Sequence, residues 1–169
     1  MNKKVFKILI GIFIAAIFSS CLKIGNEPEI PTQQEETAEL QAYLSNLIDA
    51  GHDIDTTELG VYYIVLEEGE GNYPQVGDSL EVGYAAFFTD GTMFDASDKY
   101  EENGTYSFVL GNPDLIAGWN DGMKVINKDA KVQLIIPSQL AYGNTGQGNI
   151  PPYKTLVFVI KMLEIIPST

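Results

Sequence analysis

Apolar residues follow two different spacings along the chain, and the change between them comes near residue 60. In residues 33–50 the apolar side chains recur every three or four positions, at Leu40, Tyr43, Leu44, Leu47 and Ile48. This spacing predicts an amphipathic α-helix. Thr32 and Glu35 have the spacing of a capping box at the start of the helix, and Gly51 is typical of its end. The apolar stripe is expected to pack on the rest of the chain or on a second copy of the helix.

Short segments rich in β-forming residues replace the helical pattern from residue 61 onward. Residues 80–88 alternate in a period of two, which predicts a β-strand, and Asp90-Gly91 follows as a hairpin dipeptide. Further strands are predicted at residues 61–66, 106–110, 131–136 and 155–165. Residues 52–59 are polar and acidic, and we interpret them as a linker.

The dipeptide Asn112-Pro113 predicts the start of a short helix, with Asn as the cap and Pro at the first helical position. Ile116, Trp119 and Met123 share one face of that helix. Five strands around one short helix predict an α+β fold for residues 60–169. The amphipathic helix and the linker, residues 32–59, precede this domain.

The first twenty residues predict a signal peptide. Three Lys residues give a basic start, and residues 8–18 form an apolar run of eleven residues, which is the signal-peptide pattern. Eleven helical residues extend about 16 Å, which is too short for a hydrocarbon layer of roughly 30 Å. A signal peptide is therefore favoured over an uncleaved membrane anchor.

Residues 18–21, Phe-Ser-Ser-Cys, resemble a bacterial lipobox. Cys21 is the only Cys of the sequence and lies where the apolar run ends. The resemblance implies that Cys21 receives a diacylglyceryl thioether and becomes the mature N-terminus, with residues 21–31 as a lipidated tether. Two acyl chains suffice for stable anchoring. We therefore expect membrane attachment through Cys21 in a bacterial cell envelope, at the outer membrane and facing the periplasm.

The acidic composition narrows the range of functions. Lys and Arg together number 10, all of them Lys, against 23 acidic residues, so the formal net charge is −13. A surface of this sign repels the phosphates of nucleic acids. One Cys and one His cannot build a zinc site, which needs three or four ligands, and His52 lies in the linker, which disfavours a catalytic triad. We expect no nucleic-acid partner, no metal and no other cofactor.

Several sequence fragments share their order and spacing with a known family. They are Tyr84, Phe94-Asp95, residues 106–111, residues 116–119, Ala141-Tyr142-Gly143, Ile150-Pro151-Pro152 and residues 155–158. Together they resemble the FKBP family of peptidyl-prolyl cis-trans isomerases, over roughly residues 60–166. The resemblance implies an antiparallel sheet wrapped around a short helix, and peptidyl-prolyl cis-trans isomerase activity.

The same resemblance implies an apolar pocket with named residues. The catalytic set would be Tyr84, Phe94, Asp95, Tyr106, Trp119, Tyr142 and Phe158. The substrate-binding residues would be Leu115, Ile116 and Ile150. Trp119 would form the floor, Asp95 would be the polar residue of the wall, and Tyr142 would hydrogen-bond the peptide at the rim. The backbone N–H of Ile116 would donate to the bound peptide. Gln147 stands where the family commonly has His.

Rotation about an X–Pro bond requires no nucleophile or metal, so an aromatic cleft can suffice. We expect the protein to assist the folding of exported envelope proteins by acting on their proline-containing segments. One alternative is a non-catalytic peptide-binding chaperone or assembly factor that uses the same cleft. Another is an anchored scaffold that acts through the helix of residues 33–50, which is also the expected interface of a homodimer.

Overall fold

The computed structural model describes residues 30–99 and 104–169. In this part the chain forms a long helix, followed by a domain of seven strands, a short α-helix and three 3-10 turns. The predicted signal peptide and Cys21 lie outside the described residues. No helix within the described part is both long enough and apolar enough to span a membrane.

Helix α1, Gln33–Asp49, begins and ends close to the predicted residues. The capping box is present: the N–H of Thr32 donates a 2.8 Å hydrogen bond to Glu35 Oε2, and the N–H of Glu35 donates a 3.3 Å hydrogen bond to Thr32 Oγ1. At the other end Ala50 is the C-cap, and Gly51 has a φ of 89°. Glycine reaches this left-handed conformation without strain. Local signals in the sequence therefore set both ends of α1.

Seven strands form one antiparallel sheet in the order β1-β2-β6-β7-β3-β4, and β5 pairs with part of β3. The strands are β1 Asp55–Thr56, β2 Tyr62–Glu67, β3 Ser79–Phe88, β4 Met93–Ala96, β5 Tyr106–Val109, β6 Lys131–Ile136 and β7 Leu156–Ile166. The longest pairing joins β3 to β7. Strand β7, the last in sequence, therefore lies inside the sheet, between β6 and β3.

The five predicted strands are present, and the structure adds two short ones. Strand β1 falls in the segment that we interpreted as a linker; it pairs with β2, and the hydroxyl of Tyr63 donates a 3.0 Å hydrogen bond to Asp55. Strand β4 follows the Asp90-Gly91 turn and pairs with β3. These strands have two and four residues, too few to show an apolar alternation in the sequence.

The short helix α2, Ala117–Gly122, begins later than the sequence predicted. Asn112 does not cap it. The side-chain oxygen of Asn112 instead accepts a 3.0 Å hydrogen bond from the N–H of Asp114, and Pro113 lies in the turn that this bond closes. Asn favours such turns because its side chain reaches the backbone two residues on. The predicted helix start at Asn112-Pro113 is therefore wrong.

The hydrophobic core lies between α2 and the inner face of the sheet. Alternate residues of β6 and β7 are buried there: Val132, Leu134, Ile136, Leu156, Phe158, Ile160 and Met162. Helix α2 approaches the sheet so closely that Ile136 and Leu134 occupy the space where Gly118 and Gly122 would carry a Cβ. This contact fixes α2, and Trp119 with it, against β6.

Helix α1 packs on the outer face of the same sheet. Ile135 and Val157 form a cross-strand pair of β6 and β7 and point away from the core, yet they are 0% and 3% exposed. Gln133 lies on the same face of β6 and donates a 3.2 Å hydrogen bond to the hydroxyl of Tyr43 in α1. The helix therefore covers this face, which is one of the two arrangements expected from its apolar stripe.

Candidate active site

A cavity of about 480 Å³ opens beside α2 on the inner side of the sheet. The residues predicted for the pocket all line it: Tyr84, Phe94, Asp95, Tyr106, Leu115, Ile116, Trp119, Tyr142, Ile150 and Phe158. The other described lining residues are Asp114, Gln147, Gly148 and Asn149. Strands β3, β4, β5 and β7, helix α2 and two loops contribute to this set. The cavity is therefore assembled from residues that are spread along the chain from Tyr84 to Phe158.

Trp119 forms the floor of the cavity. The residue is 5% exposed, and its ring meets the rings of Phe158 and Tyr84 edge-on, with centroids 5.0 Å and 5.3 Å apart. Edge-to-face contacts stabilise aromatic pairs beyond the area that they bury. Trp119 Nε1 is buried and has no hydrogen-bond partner among the described residues. Packing, rather than a side-chain hydrogen bond, therefore holds the indole in place.

Four further aromatic rings form the walls. Tyr84 projects inward from β3 and meets Tyr106 of β5 edge-on, with centroids 5.8 Å apart. Phe94 meets Phe158 edge-on at 6.0 Å and stacks on Phe88 at 4.7 Å. Each wall ring thus contacts another ring, so the shape of the cavity is set by a continuous aromatic cluster.

A β-bulge directs two consecutive residues of β4 into the cavity. Asp95 lies opposite Ala86 and Met93 lies opposite Phe87, so Phe94 is the extra residue between these pairs. In a regular strand, consecutive side chains point to opposite faces. The bulge removes this alternation locally, and Phe94 and Asp95 both line the cavity.

Asp95 is the polar group of the aromatic wall. The hydroxyl of Tyr84 donates a 2.8 Å hydrogen bond to Asp95 Oδ2. Behind the wall, Ser97 Oγ accepts a 3.0 Å hydrogen bond from the N–H of Tyr84 and donates a 2.6 Å hydrogen bond to the carbonyl of Gly104. Ser97 thus ties β3 to the segment that leads into β5, and it helps to fix the position of Tyr84.

The turn before α2 supplies Leu115 and Ile116 to the rim. Ile116 is the N-cap of α2, and no acceptor among the described residues takes its N–H. Asn120 holds the turn: its Oδ1 accepts a 2.8 Å hydrogen bond from the N–H of Gly111, and its Nδ2 donates a 2.9 Å hydrogen bond to the carbonyl of Asn112. These two bonds fix the turn that carries Ile116 to the cavity.

The other side of the rim is the loop of residues 137–155, here named the rim loop. It carries Tyr142 and Ile150. The carbonyl of Tyr142 accepts a 3.1 Å hydrogen bond from the N–H of Gly146, and Gln147 and Ile150 exchange two backbone hydrogen bonds of 2.9 Å. Gly146 has a φ of 66°, and the carbonyl of Ile150 fills the space of a Cβ there. Only glycine fits this position, so the loop has a defined internal structure.

Asp114, Gly148 and Asn149 were not predicted as cavity residues, and Gln147 was identified only as a departure from the family pattern. Asp114 directly precedes Leu115, and the other three directly precede Ile150. The signal that could have identified these four residues is that they adjoin predicted cavity residues in the sequence. Both segments are turns, in which successive residues can face the same side, so strand or helix periodicity does not identify them.

The cavity suits apolar groups, and its mouth is acidic. Asp95 and Asp114 are the charged residues of the described lining, which includes no Lys, His or Cys. The described lining therefore offers neither a nucleophile of the Cys type nor an imidazole base. What it offers is an aromatic enclosure, one carboxylate that is bonded to a phenol, and a backbone N–H at the rim.

A buried carboxylate outside the lining supports the floor from behind. Asp121 of α2 is 3% exposed. Burial raises its pKa, but hydrogen bonds from the Thr57 hydroxyl and the Leu59 N–H, together with Lys124, outweigh burial and leave the pKa of Asp121 below its usual value. The charged carboxylate therefore ties the segment before β2 to the helix that carries Trp119.

Comparison with known proteins finds one matching family profile. The family is described as FKBP-type peptidyl-prolyl cis-trans isomerase, and its profile matches residues 70–163. The match spans more than half of the chain. It includes every described residue that lines the cavity.

Individual relatives agree with the family match. The chain is 39% identical over 115 residues to the FKBP-type peptidyl-prolyl cis-trans isomerase FkpA of Escherichia coli, an alignment covering 68% of this chain and 41% of the relative. It is 36% identical over 106 residues to FK506-binding protein 1 of Dictyostelium discoideum, covering 62% of this chain and 97% of the relative. This chain thus spans less than half the length of the bacterial relative.

Solved structures are similar in fold. The crystal structure of FkpA from Escherichia coli matches with a TM-score of 0.66 and 32% identity, covering 81% of this chain and 63% of that chain. A peptidyl-prolyl cis-trans isomerase from Pseudomonas syringae matches with a TM-score of 0.67 and 29% identity, covering 81% of this chain and 97% of the other.

Proposed function

This chain belongs to the FKBP-type peptidyl-prolyl cis-trans isomerase family, and we propose that it catalyses rotation about X–Pro peptide bonds in the aromatic cavity. The observation that carries the proposal is the ring cluster around Trp119, with Tyr84 and Phe158 in edge-on contact with the indole. The proposed substrates are proline-containing segments of other proteins.

The rotation barrier of an amide comes from resonance. Breaking that resonance costs about 18–20 kcal/mol, and the planar amide is more dipolar than the twisted one. An apolar enclosure disfavours the planar state more than the twisted state, so it lowers the barrier. Each 1.36 kcal/mol of such differential stabilisation accelerates rotation about tenfold.

The polar groups of the cavity have positioning roles in this proposal. Asp95, which is bonded to Tyr84, orients the wall and the substrate rather than transferring a proton. The N–H of Ile116 and the hydroxyl of Tyr142 hold the peptide at the rim. Leu115 and Ile150 contact its side chains. Binding energy at the rim thus keeps the proline ring inside the aromatic enclosure.

The test is catalysed isomerisation of short X–Pro peptides by the purified protein. We expect turnover above the spontaneous rate. Binding of proline peptides without turnover would instead support the alternative, a peptide-binding chaperone or assembly factor that uses the same cavity. The absence of both would contradict the proposal.

We also propose that the protein acts at a bacterial cell envelope on exported proteins, whose folding proline isomerisation can limit. The support is the signal-peptide pattern and the lipobox-like residues 18–21, which end at Cys21. Lipidation of Cys21 would anchor the chain to the membrane, proposed as the outer membrane on its periplasmic side. The tether of residues 21–31 would separate the domain from the lipid surface.

Pairing of two chains through α1 is a further part of the proposal. The helix leaves Ile48 60% exposed, while Leu44 and Leu47 are half-buried. Contact between these residues in two chains would bury the remaining apolar surface, and it is compatible with the packing of α1 on its own domain.

A further inference from the structure

Glu36 is the buried residue of α1. It is 4% exposed, and three donors converge on its carboxylate. Oε1 accepts a 2.6 Å hydrogen bond from the N–H of Ser138 and a 2.9 Å hydrogen bond from Thr155 Oγ1, and Oε2 accepts a 2.6 Å hydrogen bond from Ser138 Oγ. Burial of a carboxylate is costly unless hydrogen bonds compensate for lost water. Because all three groups donate to the carboxylate, residue 36 must present a hydrogen-bond acceptor at this position.

Ser138 and Thr155 are the two feet of the rim loop. Strands β6 and β7 pair as far as Ile136 and Leu156, and the loop leaves the sheet beyond that pair. Both feet are 2% exposed. One carboxylate from α1 therefore bridges the points at which the rim loop leaves and rejoins the sheet.

Contacts continue from Ser138 to the cavity. The carbonyl of Ser138 accepts hydrogen bonds of 2.9 Å from the N–H of Ala141 and 2.8 Å from the N–H of Gly143, on either side of Tyr142. The same turn packs against α2, where Leu140 lies beside Gly118, the residue before Trp119. The foot that Glu36 holds is thus in contact with both the rim and the floor.

We propose that Glu36 is a positioning residue of the isomerase site, an inference that rests on the proposed function. By holding both feet of the rim loop, Glu36 fixes Tyr142 and Ile150 relative to the cavity. Helix α1 thereby supports peptide binding from the opposite face of the sheet. Because Glu36 does not line the cavity, its loss weakens peptide binding more than it slows rotation of the bound peptide.

The test compares Glu36→Ala and Glu36→Gln with a matched control, Asp49→Ala, which removes an exposed carboxylate of α1 and leaves Glu36 in place. For Glu36→Ala we expect KM for an X–Pro peptide to rise about fivefold or more, with kcat within about twofold. Glu36→Gln keeps the shape and an acceptor oxygen, so it should restore most of the affinity. Asp49→Ala should behave as the wild type.

Hydrogen exchange supplies a readout that is independent of turnover. In Glu36→Ala the amides of Gly143 and Gly146, which are hydrogen-bonded inside the rim loop, should exchange faster. Amides in the pairing of β3 with β7 should be unchanged. If Glu36 contributed only to overall stability, amides in the rim loop and in the pairing of β3 with β7 would all exchange faster, and KM would be unaltered.

A folded Glu36→Ala protein with wild-type KM and wild-type exchange would overturn the inference, as would an equal effect of Asp49→Ala. If Glu36→Ala fails to fold, Ser138→Ala and Thr155→Val each remove one hydroxyl donor, and an unchanged KM in both also overturns it. Lack of turnover by the wild type would contradict the proposed function instead. The exchange data would then still decide whether Glu36 holds the rim loop.

Discussion

The hydroxyl of Tyr84 donates a 2.8 Å hydrogen bond to Asp95 Oδ2 inside the aromatic wall. The carboxylate is therefore engaged by a neighbouring side chain before any peptide enters. A carboxylate in this situation can align the wall and the substrate without accepting a proton from either. We therefore expect the aromatic rings of the wall to contribute more to catalysis than the charge of Asp95.

Removal of an aromatic wall should lower kcat/KM more than removal of the carboxylate charge. Phe158→Ala removes a ring that contacts Trp119, Tyr84 and Phe94 and admits water. We expect kcat/KM to fall by more than about tenfold, the equivalent of roughly 1.4 kcal/mol. Asp95→Asn keeps the shape and an acceptor for the Tyr84 hydroxyl, so we expect a smaller fall in kcat/KM for this variant. Catalysed isomerisation of short X–Pro peptides measures both.

Near-ultraviolet circular dichroism should first establish that both variants are folded. Phe158→Ala with undiminished turnover would contradict catalysis by apolar surroundings. An inactive Asp95→Asn protein would point to specific polar catalysis instead.

Asp121 should make stability depend on pH. Because its pKa is lowered in the folded state, its contribution is present above the unfolded value of about 3.9 and is lost as the pH falls through the folded value. Asp121→Ala leaves the N–H of Leu59 without its acceptor. We expect the free energy of unfolding at pH 7 to fall by about 1–3 kcal/mol, and the difference from the wild type to shrink below pH 4.

Urea denaturation at pH 7 and at pH 3 tests this expectation, with Asp53→Ala, an exposed carboxylate, as the matched control. A constant difference between wild type and Asp121→Ala across this range would show that the charge of Asp121 contributes nothing.

Cys21→Ser should abolish lipidation. The residue ends the lipobox-like segment 18–21, and a Ser hydroxyl cannot form the thioether. The variant should incorporate no labelled fatty acid, while isomerase activity of the domain should be unchanged because the described cavity residues lie between Tyr84 and Phe158. Equal labelling of wild type and variant would exclude Cys21 as the attachment site.

Ile48→Glu should disrupt pairing of two chains if α1 is the interface. The side chain is 60% exposed, so the charge should not disturb the packing of α1 on its own domain. Sedimentation should show a dimer for the wild type and a monomer for the variant. Val76→Glu, at a residue that is 67% exposed and far from α1 in sequence, is the control. A monomeric wild type would exclude this interface.

Local signals account for what the sequence predicted about the fold. The capping box of Thr32 and Glu35 and the glycine after the helix located α1, because short-range hydrogen bonds and backbone preferences act there. The same reasoning predicted a wrong helix start at Asn112, because Asn is favoured both as a helix cap and in turns. Strand β1 has two residues, and it exists because β2 is beside it.

The residues of the cavity were predictable from the order of the family fragments. Two structural features that hold them in place, the bulge in β4 and the contacts of Glu36, were not. The bulge that turns Phe94 and Asp95 to the same side is a property of strand register, which a single strand does not encode. The donors to Glu36 lie 102 and 119 residues further along the chain. In sequence, Glu36 is one more acidic residue in the polar first turn of a helix.

The position of β7 also has a consequence for the biogenesis of the protein. Of the strands in the described residues this one is synthesised last, yet it pairs with both β6 and β3. Until residues 156–166 have left the ribosome, the two halves of the sheet share no strand, and such non-local pairing forms slowly. The domain therefore completes its fold in a late step. For a chain that is proposed to cross a membrane through a narrow translocation pore, this delay keeps the domain threadable until residues 156–166 have been synthesised.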